Sequence, residues 1–281
     1  MSALNAAPSV RAAAAARAAA AGADHQLPGR FLVLEGIDGC GKTTQLEALR
    51  QWLPGSGLLP PGSRLLVSRE PGGTALGQAL RGLLLHPPEA AAPCPTAELL
   101  LYAADRAQHV EATIRPALEA GDWVLCDRFA GSTAAYQGYG RGLSLALIEQ
   151  LEAIATAGLR ADLTLWLDLP LSLSLQRRQG RAADRIEASG EAFLARVAAG
   201  FGQLAAQRGW LRLDASAPAP QVTVACRQLI QARLGGAGPD WPPDSCAAEA
   251  LSDSPGPVAE AAPAVPGLAA EGTLGLPGPG A

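Results

Sequence analysis

Five short apolar runs punctuate the chain, at 31–34, 65–67, 123–126, 163–167 and 210–213. Each is short, with Leu, Val or Trp prominent, and reads as a buried strand. Between them, apolar residues recur at three- and four-residue spacing over 43–53, 76–85, 96–120, 145–157, 171–178, 190–206 and 220–234, the period of helices with one buried face. Strands alternating with helices predict parallel pairing and helices on both faces of one sheet. The fold class is α/β, in three layers around a parallel five-stranded sheet. Ligands of such sheets gather at the carboxyl ends of the strands, so the residues just after each run carry the chemistry.

The pattern stops short of both ends of the 281 residues. Residues 1–29 are Ala-rich and 235–281 are Pro-, Gly- and Ala-rich with acids but no Lys or Arg; both are expected to be disordered extensions, because they bury too little to offset ordering. Residues 30–234 remain as one domain. The chain is expected to be cytoplasmic, although Arg11 and Arg17 in an Ala-rich stretch also suit an organelle address. A net charge of −4 argues against a general nucleic-acid binder, and no apolar run is long enough for a membrane span. Five widely spaced cysteines without a C-x-x-C pair, and three histidines without metal-type spacing, leave neither a disulfide framework nor a zinc site.

The first run leads into Gly36-Ile37-Asp38-Gly39-Cys40-Gly41-Lys42-Thr43, followed by Thr44: G-x-x-x-x-G-K-[ST] in its strand-to-helix setting, which predicts an ATP-binding P-loop. Its glycines let backbone N–H groups face phosphates, and the helix N-terminus adds positive potential. Lys42 reaches the β- and γ-phosphates and the Thr43 hydroxyl binds Mg²⁺. Lys42 is the only lysine in a chain that otherwise uses Arg for positive charge.

Asp127 and Arg128 end the third run. A strand-terminal acid suits Mg²⁺, or simply a turn; the adjacent guanidinium suits a second phosphate. Arg69-Glu-Pro-Gly-Gly-Thr74 ends the second run, where Pro-Gly-Gly makes a tight turn and Arg69 faces the acceptor. Tyr102 and Arg106 share a helix face and could hold a base, or could be packing plus a surface charge. Ser132, Thr133, Tyr136 and Gln137 offer hydroxyls and an amide at helical spacing. Arg177, Arg178, Arg181 and Arg185 punctuate a stretch that reads either as a solvated basic face or as a lid closing over ATP.

Taken in order, Glu35–Thr44, Arg69–Thr74, Tyr102-Ala-Ala-Asp-Arg106, Asp127-Arg-Phe129, Tyr136-Gln-Gly138 and Asp184-Arg-Ile-Glu187 closely resemble the thymidylate kinases, over about 30–234. The resemblance implies a P-loop NTPase fold with a lid, phosphorylation of dTMP to dTDP by Mg²⁺-ATP, and a homodimer. It puts Asp38 at the sugar 3′-hydroxyl, Tyr102 on thymine, Arg106 on the base, and Arg69 and Arg128 on the acceptor phosphate. Thr133, Tyr136 and Gln137 line the nucleoside pocket. One branch of the family carries its catalytic arginine in the P-loop, where this chain has Gly39; the bacterial-type branch carries it in the lid, where this chain has Arg178 and Arg181. A kinase for another nucleoside monophosphate and a non-catalytic nucleotide-binding module are the alternatives.

Overall fold

The computed structural model describes residues 29–88, 92–180 and 182–235. The extension up to residue 28, the tail from 236 and Arg181 lie outside the described residues.

Strands β1 (Phe31–Glu35), β2 (Leu65–Arg69), β3 (Trp123–Asp127), β4 (Leu163–Asp168) and β5 (Leu211–Asp214) form one parallel sheet in the order β2-β3-β1-β4-β5. The helices are α1 (Lys42–Trp52), α2 (Ala75–Leu85), α3 (Pro95–His109), α4 (Arg115–Glu119), α5 (Ala130–Thr133), α6 (Leu145–Thr156), α7 (Leu171–Arg177), α8 (Glu191–Arg208) and α9 (Ala219–Leu234). The α/β expectation holds strand by strand, with ends moved by a residue or so.

β1 is buried along its whole length because alternate side chains serve opposite faces. Leu32 and Leu34 join the larger apolar cluster with Leu49, Leu125 and Phe201, whereas Phe31 and Val33 join the smaller one with Val124, Ile114 and Phe129. Both faces are therefore covered by helices, and the central strand reads as an unbroken apolar run.

Two stretches depart from the expected helices. The single helix expected over 96–120 is α3 and α4 joined by a wider π-turn, Val110–Ile114. Pro116, at the start of α4, lacks the N–H that would continue the ladder into the preceding turn. Residues 130–140, where the sequence shows polar residues at helical spacing but no bounded helix, are α5 running into a π-helical stretch, Ala134–Gly140. Glycines on both sides permit its close packing on α8: a Cβ on Gly140 would lie 2.6 Å from the Phe193 ring, and one on Gly200 of α8 2.6 Å from Tyr139.

β1 and β3 are neighbours, with Leu34 opposite Asp127. The loops that follow them, 36–41 and 128–129, thus leave the same edge of the sheet side by side. That adjacency positions the site.

Candidate active site

The loop after β1 holds its shape through glycine. Gly36, Gly39 and Gly41 have φ of 141°, 79° and 97°, a region that side chains disfavour. A Cβ on Gly36 would also lie 2.6 Å from the Leu167 carbonyl oxygen. Lys42 is buried, and its Nζ donates to the carbonyl oxygens of Gly36 and Ile37, both at 3.0 Å. Cys40 is buried in the loop, whereas Thr43 and Thr44 are exposed on the first turn of α1. The loop rests on α7, where Ser174 Oγ donates to the Asp38 carbonyl oxygen at 2.6 Å and Arg177 to that of Gly39 at 3.4 Å.

Arg128 joins the two halves of the site. Its φ of 71° is unusual for a non-glycine residue and turns the chain sharply at the end of β3. One guanidinium nitrogen donates to Gly36 O and Ser132 Oγ, both at 2.9 Å; the other meets Asp38 Oδ1 at 2.5 Å. Tyr136 donates its hydroxyl to Asp38 Oδ2 at 2.7 Å. Burial works against the Asp38 carboxylate, yet Arg128, Lys42 and Tyr136 hold its pKa well below the usual range, so it stays ionised. Glu35 fixes the turn from beneath, accepting from the Phe129 and Ser132 amides at 3.0 Å each and from Ser132 Oγ at 2.6 Å.

Beside Arg128 opens a cleft. Tyr102, Arg106, Thr133, Tyr136 and Gln137 stand on its wall with Asp38 and Arg128, so the residues singled out from the sequence come together there. Arg106 is no surface charge: it is 2% exposed, pairs with Glu70 at 2.8 Å and donates to Thr133 Oγ1 at 3.0 Å. Arg69 is exposed at the end of β2 and is not on the cleft wall, where Arg81 of α2 stands instead, donating to Pro71 O at 2.9 Å. Asp127 is half-buried, and its Oδ1 has no protein partner.

Sequence reasoning missed the polar groups beneath the cleft. Glu70 joins Arg106 to His109 Nδ1, 2.9 Å away, and His109 Nε2 meets Ser68 Oγ at 2.6 Å. Asp105 accepts from Gly72 N at 3.0 Å; burial, then the Glu70 charge, push its pKa up to about 6. Glu98, fully buried, accepts from Gln137, Arg141 and Arg185. In the lid stretch, Arg178 lies along Gly39, where an added Cβ would be 3.3 Å from its Cγ, and pairs with Glu187 at 3.3 Å.

The profile of the family described as Thymidylate kinase matches residues 34–225. Thymidylate kinases from Synechococcus sp. strain RCC307 and Parasynechococcus marenigrum strain WH8102 are 66% and 62% identical over 206 and 209 residues. Those alignments span 73% and 74% of this chain and 97% and 100% of the relatives. This chain belongs to the thymidylate kinase family. A crystal structure of thymidylate kinase from Ehrlichia chaffeensis matches at 31% identity with a TM-score of 0.58, over 73% of this chain and all of that one. The cleft beside the P-loop is thus the cleft of a thymidylate kinase fold, and the family match leaves out residues 1–33 and 226–281.

Proposed function

We propose that the chain transfers the γ-phosphoryl group of ATP to dTMP, releasing dTDP and ADP. One observation carries the reading: Arg128, on the cleft wall, is bonded directly to the Gly36 carbonyl of the phosphate loop. Donor and acceptor sites therefore share one edge of the sheet, within a guanidinium's reach.

In this reading residues 36–44 bind ATP, with Lys42 moving from loop carbonyls to the β- and γ-phosphates. Arg128 holds the acceptor phosphate, with Arg69 at the end of β2 as an outer contact. Asp38 retains free lone pairs for the sugar 3′-hydroxyl, since each of its oxygens can accept more than one hydrogen bond. Tyr102 stacks on thymine, and Arg106, Thr133, Tyr136 and Gln137 take up the rest of the nucleoside. A dTMP oxygen attacks the γ-phosphorus in line as the bond to ADP breaks. The acceptor phosphate is already largely ionised at neutral pH, so no side chain need remove a proton. The chain's task is to neutralise and align two anions, which falls to Lys42, Arg128 and the lid arginines Arg178 and Arg181.

Thr43 and Asp127 suit Mg²⁺: an exposed hydroxyl beside the cradle and an acid with one unpartnered oxygen. Mg²⁺ favours such sparse oxygen sets because water and phosphate complete its shell. When bound, it neutralises charge on the ATP phosphates. We further read the enzyme as a cytoplasmic homodimer, in keeping with its family resemblance; no described helix is long and apolar enough to cross a membrane.

A coupled assay of ADP release across nucleoside monophosphates tests the reading. Turnover should be fastest with dTMP; faster turnover of UMP, AMP or CMP would overturn it, and no turnover of any would favour a binding module.

A further inference from the structure

Glu98 touches none of the groups that would meet phosphate, yet it is 0% exposed and bears on the nucleoside pocket. Arg141 grips it at both oxygens, Nε to Oε1 at 3.2 Å and Nη2 to Oε2 at 3.1 Å. Arg185 Nη2 reaches Oε2 at 2.5 Å while its Nε donates to Leu84 O at 2.8 Å. Burial would raise the Glu98 pKa, but Arg141, Gln137 and Arg185 hold it below the usual carboxylate value. An ionised carboxylate only accepts hydrogen bonds. Its remaining partner, Gln137 Nε2 at 2.8 Å, must therefore be the amide's NH₂ end.

That contact decides which face of Gln137 the cleft sees. The side chain is 1% exposed and stands on the cleft wall, so the two ends of its amide are not interchangeable. With the NH₂ end held by Glu98, the carbonyl oxygen is the end left for the ligand. Thymine and uracil carry an N–H at N3, which a carbonyl oxygen can accept from; cytosine carries a lone pair there, which repels it. Arg106, a donor at any pH, adds a second test at the neighbouring ring oxygen or amino group.

We propose that Glu98 is a specificity-determining positioning residue: by locking the Gln137 amide it makes the pocket read N3 as a donor and reject cytosine nucleotides. The proposal rests on the dTMP reading above. Buried polar groups left unpaired by the wrong ligand are what make such discrimination steep.

Glu98→Gln tests it, because a neutral amide of the same shape can either donate or accept and lets Gln137 turn over. The ratio of kcat/KM for 5-methyl-dCMP to that for dTMP should rise about tenfold, the worth of one hydrogen bond of roughly 1.4 kcal/mol. A fall in both constants with the ratio unchanged would mean a merely structural role and overturn the proposal. Should Glu98→Gln fail to fold, the wild-type chain still decides. The 5-methyl-2-pyrimidinone deoxynucleotide, an N3 acceptor with nothing at C4, should bind at least about tenfold more weakly than dTMP. Equal binding would overturn the proposal. Absence of dTMP turnover by the wild type is a separate result, which removes the functional reading itself.

Discussion

At the scale of single residues, the site is a set of charges made tolerable by their partners. Arg128 has Asp38, Tyr136 and the Gly36 carbonyl around it. Arg128→Ala should raise KM for dTMP by about a hundredfold or more, the cost of unpairing a partly buried charge pair. KM for ATP should rise only about fivefold, the worth of one loop hydrogen bond. Steady-state kinetics with each substrate varied in turn separates the two, and equal losses would take Arg128 off the acceptor. Asp105 is the opposite case, an acid whose folded pKa of about 6 lies above its ordinary 3.8. Its charged form is disfavoured in the fold, so its contribution to stability grows as pH falls through about 6 and levels off below 3.8. Asp105→Asn keeps an acceptor for Gly72 and should melt higher than wild type at pH 8, with the gap closing toward pH 4. Melting curves in matched buffers check this. The P-loop residues were legible because their neighbours in sequence are their neighbours in space, and Arg128 because it directly follows an apolar strand, although its partners Gly36 and Asp38 lie 92 and 90 residues away. Glu70, Glu98 and Arg81 were not: Glu70 meets Arg106 36 residues away and Glu98 meets Arg141 43 away, and no spacing rule encodes such pairs.

At the scale of elements, strands were the most legible, since buried parallel strands write themselves as apolar runs. Helices were legible except where their period changed. The π-helical stretch carrying Tyr136 and Gln137 breaks the 3.6-residue repeat, so the helical spacing of its polar residues and the family resemblance pointed to the pocket while the widened turn itself was not legible. The lid is legible as an arginine-bearing segment, but the partners of those arginines are not. Arg177 is spent on backbone oxygens of the P-loop and of Ala215, and Arg185 on Glu98 and Leu84. Arg178 instead lies against Gly39 beside the phosphate loop, held by Glu187. Arg178→Ala should therefore lower kcat by about a thousandfold, as loss of a charge-neutralising arginine does, while leaving KM for dTMP nearly unchanged. A matching rise in KM would place Arg178 in substrate binding instead.

At the scale of the whole molecule, the domain over 30–234 is a proposal with a direct check. The described backbone is bonded in from Gly29, whose N donates to Leu118 O at 3.2 Å, to Gly235, whose N donates to Gln231 O at 2.8 Å. A chain of residues 29–235 should keep the full-length kcat/KM for dTMP and ATP; a large loss would give one end a part in the reaction. All five strands run the same way, so the molecule has a working edge and a blind edge. The phosphate loop and Arg128 follow the carboxyl ends of β1 and β3, while the tight turn Ala157-Gly158 between α6 and β4 lies at the other edge, with open space beside Gly158. A short peptide tag inserted there should leave turnover intact, whereas the same tag after Asp168, beside the P-loop, should abolish it. For anyone attaching this enzyme to a surface or a second protein, the direction of the strands is the assembly instruction.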